Sequence, residues 1–149
     1  MAQQPAKAGP VIKRKDEIAY DTVDAAAGLS KGILLDESDG APNFAIRRFE
    51  LHSGATVPKH TNAVEHEQYV LVGEYTVGIA TTADDNKANT PAGASVDGGI
   101  EYTVSAGDSI LIPAGVEHWY RNESDVIIVL FSANTMHNEA LNTTFSTYD

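Results

Sequence analysis

The chain has no cysteine, which excludes disulfides, thiol nucleophiles and thiolate metal sites; any metal must be held by imidazole, carboxylate or amide oxygen. Positive charge is scarce. Ten Lys plus Arg stand against twenty-one Asp plus Glu, a formal net charge of −11. Attraction to nucleic acid or to an anionic membrane is therefore disfavoured, and a small molecule or a protein is the expected partner. No apolar run approaches the ~20 residues of a spanning helix, and the N-terminus lacks the apolar core of a signal peptide. These absences predict a cytoplasmic protein. No Ser-His-Asp order, phosphate loop or basic aromatic patch is present. At 149 residues the chain has the length of one domain with a real core.

What is present is short, β-branched and punctuated by Gly and Pro. Residues 1–15 carry no apolar period and read as a flexible N-terminal arm. Residues 18–20 and 33–35 are candidate short strands, residues 36–42 have turn chemistry, and residues 43–51 alternate as a full strand. On that strand Arg47 and Arg48 fall on opposite faces, so at most one points inward. Further strands are expected at 56–60, 66–72, 75–81, 100–104, 109–112, from His118 onward, and at 125–131. The Gln-Tyr-Val-Leu-Val composition of 68–72 suggests a strand buried on both faces. Residues 82–99 read as a long surface loop. Residues 133–149 form a polar tail, with one helical turn expected at 138–141. About nine short strands with little helix argue an antiparallel sandwich or barrel over residues 16–132.

Two stretches carry the chemistry. In residues 107–122 the strand Ser-Ile-Leu-Ile is followed by Pro113-Ala-Gly115, which removes a backbone donor and then supplies a permissive φ, and extended structure resumes at His118. The turn thereby sets where His118 points. Residues 54–74 contain His60, Asn62, His66 and Gln68 between Gly54 and Gly73.

Together the two stretches resemble the paired motifs of the cupin superfamily. The second matches as Gly107-x5-Pro113-x-Gly115-x2-His118-x3-Asn122, and the first keeps the spacing Gly54-x5-His60-x-Asn62-x3-His66-x6-Gly73. The first motif departs in chemistry: Asn62 stands where the family usually has His, and His66 where it usually has Glu. The resemblance spans residues 44–132. It implies an all-β fold, an antiparallel jelly-roll barrel whose mouth is a usual place for a small-molecule site.

Imidazole is neutral near pH 7 and offers a lone pair to borderline metals. On extended strands His60 shares a face with Asn62, His66 with Gln68, and His118 with Tyr120. If that face is the interior, His60, His66 and His118 converge as ligands for a divalent ion (Fe, Zn, Mn, Ni or Cu), with the Asn62 amide oxygen as a weak fourth ligand. One alternative lies in the register: a bulge would turn Glu67 inward in place of His66, although the spacing to Gly73 favours His66. A metal-free site is the other. Gln68 and Tyr120 are candidate catalytic or substrate-binding residues, or simply buried polar groups with satisfied partners. Asn122 is expected to tie down its strand end, Trp119 to serve as core or subunit contact, and His52 and His137 to lie on the surface.

Two functional classes follow. One is a metal enzyme on a small acid or sugar-derived substrate, either dioxygenase-type or a lyase or isomerase working by Lewis-acid polarisation; the other is a non-catalytic binding or sensing module. Three histidines at motif spacing favour the enzyme. An uncompensated cation predicts an anionic ligand, and open sheet edges with apolar outer faces such as Trp119 predict a homodimer.

Overall fold

The computed structural model describes residues 9–24, 26–81, 93–125 and 127–134, the last segment as backbone and pairing. Its strands are β1 (Tyr20–Thr22), β2 (Ala27–Leu35), β3 (Phe44–His60), β4 (His66–Val72), β5 (Glu74–Ala80), β6 (Ala94–Val96), β7 (Gly99–Ser105), β8 (Ser109–Ile112), β9 (His118–Arg121) and β10 (Ile127–Asn134). All pairings are antiparallel, in the order β6-β7-β5-β9-β3-β10-β4-β8, with β2 also against β3 and β1 against β2. This is a jelly-roll. Its only helical pieces among the described residues are two short 3-10 turns, Lys15–Glu17 and Glu37–Asp39. None of the described helices is long and apolar enough to cross a membrane.

The long strand β3 joins the two layers. Residues 44–51 pair with β10, whereas Thr56, Val57 and His60 pair with β9. The sequence suggests two strands here, and the structure has one, because Gly54 at φ +78° lets the backbone bend without ending. Asn122 fastens the changeover. Its backbone exchanges hydrogen bonds with Gly54 and Ala55, each at 2.9 Å. Its fully buried side chain donates to the carbonyls of Leu51 (2.9 Å), His52 (3.1 Å) and Asp125 (2.7 Å). One amide thus ties the bend of β3 to the turn after β9.

The core lies between the layers, with Leu29, Leu51, Val57, Val70, Val77, Val104 and Ile112 at its centre. β4 corrects one expectation: it is not covered on both faces. Val70 is inaccessible, but Tyr69 and Leu71 point outward at 47% and 41% exposure. Outward positions that also carry apolar residues hid the alternation. Trp119 takes the first of its two expected roles, since its outward-facing indole is buried within the chain itself. It lies in a trough left by Gly78 and Gly99, where an added Cβ would come within 1.9 Å and 2.7 Å of the ring, and Lys59 Nζ sits 4.6 Å over the ring. The helical turn expected at 138–141, residues 82–92 of the expected loop, and His137 lie outside the described residues.

Candidate functional site

His60 and His118 are Cα partners across the β3–β9 pair. Two features of the second motif place His118. Gly115 takes φ +77°, a conformation costly for any residue with a Cβ. Its N–H donates to the Asn62 carbonyl at 2.8 Å, which holds the loop between β3 and β4 against the turn before His118. Both motifs therefore meet at one end of the barrel.

The ring centroids of His60 and His118 are 4.1 Å apart. In each ring Nδ1 lies against the carbonyl two residues upstream, His60 against Pro58 at 2.9 Å and His118 against Val116 at 2.8 Å. A carbonyl only accepts, so Nδ1 carries the proton and Nε2 the lone pair in both. The Asn62 amide nitrogen then donates to His118 Nε2 (3.3 Å) and to His66 Nδ1 (3.2 Å). Asn62 joins imidazoles from both layers of the jelly-roll.

β4 carries His66 inward. It pairs with β8 in unbroken step from His66↔Ile112 to Tyr69↔Ser109. With no bulge there, His66 and Gln68 are buried and Glu67 is exposed. Glu67 does not replace His66, because regular pleating sends it to the outer face.

Burial sets the charge of this cluster. Desolvation, followed by the nearby His118, Arg47 and His60, pushes the His66 pKa down to about 3. Desolvation and His60 push His118 down to about 4 against the opposing effect of the Val116 carbonyl. Desolvation lowers His60 as well. All three rings are neutral at physiological pH.

Deeper in the barrel, Gln68 reaches across the interior. Its Nε2 donates to the Tyr120 hydroxyl, and its Oε1 accepts from the Tyr75 hydroxyl at 3.0 Å. Desolvation raises both phenol pKa values, so both tyrosines stay protonated. The Tyr120 ring packs edge-on to His118 with centroids 5.5 Å apart. Gln68 and Tyr120 were legible from the motifs. Tyr75 was not: it follows Gly73-Glu74 at the start of a strand whose pairing to β7 and whose inner face only the assembled sheet reveals.

A second residue that motif spacing does not single out is Arg47. It lies on the inward face of β3 with Ala45, Phe49 and Leu51, whereas Arg48 points outward and donates to the Tyr20 hydroxyl at 2.8 Å and pairs with Glu50 at 3.1 Å.

The donor set fits a borderline divalent cation in chemistry: neutral imidazoles, two of them anchored through Nδ1–H to backbone carbonyls, as metal-ligating histidines usually are. The set is not pre-assembled. Among the described residues no group of three or more His, Asp or Glu stands at metal-holding geometry. The Asn62 amide explains why, since it hydrogen-bonds two of the rings where coordination would need metal–nitrogen distances of about 2.0–2.1 Å.

An all-antiparallel jelly-roll with histidines converging at one end defines a class, and sequence comparison gives the family. The family model described as Cupin matches residues 42–148, and the chain belongs to that family. No curated protein matches it. Among solved structures it is similar to the polyketide cyclase RemF from Streptomyces resistomycificus, with 24% identity over 83% of this chain and 80% of that one, at a TM-score of 0.65. It is also similar to an RmlC-like cupin from Shewanella frigidimarina, with 17% identity over 85% and 91% of the two chains, at a TM-score of 0.61. A recombinant oxalate oxidase in complex with glycolate is 22% identical over 72% of this chain and 51% of its own, at a TM-score of 0.55. At these identities the likeness is one of fold.

Proposed function

We propose that this protein is a small-molecule enzyme whose interior cluster of His60, His66 and His118 takes a divalent cation. One observation carries the reading: His60 and His118 face each other across paired strands, with Nδ1 of each committed to a backbone carbonyl and Nε2 left as the basic nitrogen. That arrangement orients lone pairs rather than moving protons. The low pKa values support the same choice, because a general acid or base works best with a pKa near the working pH, whereas a ligand needs only to be neutral.

When bound, the cation would polarise a substrate oxygen as a Lewis acid. His60, His66 and His118 would hold it, and the Asn62 amide would release the two rings that it bridges. Tyr75, Tyr120 and Gln68 form an uncharged, hydrogen-bonded floor that orients polar groups without competing for a proton. Glu67 stays outside, so three neutral ligands leave the ion's charge uncompensated, which favours an anionic substrate. Similar structures include a polyketide cyclase and an oxalate oxidase, so the fold accommodates catalysis. The second reading, a metal-free binding module, draws on the Asn62 bridge, whose amide nitrogen donates to one nitrogen of each of two imidazoles without any ion.

Titration of chelator-stripped protein with cobalt(II), followed by visible absorption, separates the two. The parent is expected to bind one equivalent, and His118→Ala to bind at least about tenfold more weakly. His52→Ala, at an exposed ring beside Ser30, is expected to bind like the parent. A parent that takes up no cobalt, or His118→Ala matching it, would overturn the metal reading.

A further inference from the structure

We propose that Asn62 is the latch of this site rather than one of its ligands: the side-chain amide holds the lone pairs of His66 and His118, and a cation enters only by displacing it. The inference rests on the reading of the histidine cluster as a cation site, and it gives Asn62 a role opposite to that of a fourth ligand. Its basis is the direction of two hydrogen bonds. His118 Nδ1 donates to the Val116 carbonyl at 2.8 Å, so Nε2 of the neutral ring can only accept, and the Asn62 atom 3.3 Å from it must be the amide nitrogen. The same nitrogen lies 3.2 Å from His66 Nδ1. Both of its hydrogens are thereby committed, one to each ring. His66 Nδ1 accepts, which puts the His66 proton on Nε2. His66 thus takes the opposite tautomer to His60 and His118.

The groups around the amide are pinned. The Asn62 carbonyl accepts from the Gly115 N–H at 2.8 Å, so the turn that places His118 also anchors the backbone of Asn62. His66 is set by the regular β4–β8 pairing, opposite the fully buried Ile112. The amide is held in place only by its own side-chain torsions and by the two rings, so it is the part that yields. An amide nitrogen bearing two hydrogens offers no lone pair to a metal. Turned over, the group would present an uncharged oxygen, a poorer partner than imidazole for a borderline ion, and both hydrogen bonds would still be broken. Asn62 is only 6% exposed, and in such surroundings its hydrogen bonds are stronger than they would be in water. It therefore withholds more from the site than it can contribute as a ligand.

The test is titration of chelator-stripped protein with cobalt(II), the parent against Asn62→Ala and Asn62→Ser. Removal of the latch is expected to tighten cobalt binding, by roughly tenfold in Asn62→Ala, where both hydrogen bonds are lost, and by less in Asn62→Ser, whose hydroxyl has a single hydrogen to donate. Both variants are read for the same direction, so a folding defect in one does not decide the outcome. Weaker cobalt binding in both would make Asn62 a ligand, and unchanged binding would make it a bystander; either result overturns the proposal and leaves the cation reading standing. No uptake by parent or variants would overturn both. Uptake by the variants alone would support the latch and remove the cation reading for the parent chain. Nitrogen-15 NMR of the histidine rings checks the bridge with no ion added: His66 is expected to carry its proton on Nε2 and His118 on Nδ1, and a His66 ring protonated on Nδ1 would overturn the proposal.

Discussion

The two faces of β9 place opposite chemistries on four consecutive residues. Inward, His118 and Tyr120 join Asn62, His66, Gln68 and Tyr75 in a network whose members are all neutral. Outward, Arg121 donates to both oxygens of Glu101 at 2.9 Å and 2.8 Å, and Trp119 Nε1 donates to the first of them at 2.9 Å. Those hydrogen bonds, from Arg121 first, hold the Glu101 pKa down to about 2 and raise that of Arg121. The difference teaches that the solvent, not the residue type, decides the charge. Without water, imidazoles shed their protons, whereas at the surface an ion pair keeps both charges at little cost.

The largest expected effect exploits that difference through pH. His66 and His118 have folded-state values near 3 and 4 against an ordinary value of 6.5. Below pH 6.5 the unfolded chain takes up protons that the folded chain refuses, so stability falls as the pH drops toward 4. The slope is roughly 1.4 kcal/mol per pH unit for each histidine. Glu101 acts in another window: its contribution is present above its ordinary value of 4.5 and is lost only as the pH falls toward 2. Urea unfolding of chelator-treated protein should therefore show a steep decline between pH 6.5 and 4.5, and a His66→Gln/His118→Gln double variant should flatten it. A parent with no slope in that interval would break the comparison.

Next in size is Gly78→Ala. The new Cβ would meet the Trp119 indole at 1.9 Å, and overpacking of this kind costs about 2–3 kcal/mol. Trp119 is the only tryptophan, so a red-shifted emission maximum would report its expulsion from the trough. Unchanged stability and emission would show that the outer face is looser than its geometry implies.

The smallest effect is expected for the Glu101–Arg121 pair itself. A double-mutant cycle with Glu101→Gln and Arg121→Ala should give a coupling under about 1 kcal/mol, shrinking as salt is added. A larger, salt-insensitive coupling would mean that the outer face is desolvated after all.

Much of the site was legible because motif spacing and the two-residue strand period together specify faces. His60, Asn62, His66, Gln68, His118 and Tyr120 follow from positions in two short stretches, and the structure brings them together. Where the reading of the fold faltered, the local signal was degenerate. A glycine inside β3 looks like a strand end but is a bend, and apolar residues on both faces of β4 look like double burial. Tyr75 escaped because nothing adjacent in the chain marks it, and alternation alone left open which of Arg47 and Arg48 points inward.

By itself, the sequence determined the family, the all-β antiparallel character and most of the inward-facing polar residues, since these depend on turn chemistry and on alternation along single strands. Only the tertiary structure decided which inward residues touch. That Asn62 bridges His66 and His118, that Gln68 ties Tyr75 to Tyr120, and that Arg47 falls in the row of Gln68 all depend on the register between strands distant in the chain. Register is set by the packing of the whole barrel, so no local pattern encodes it.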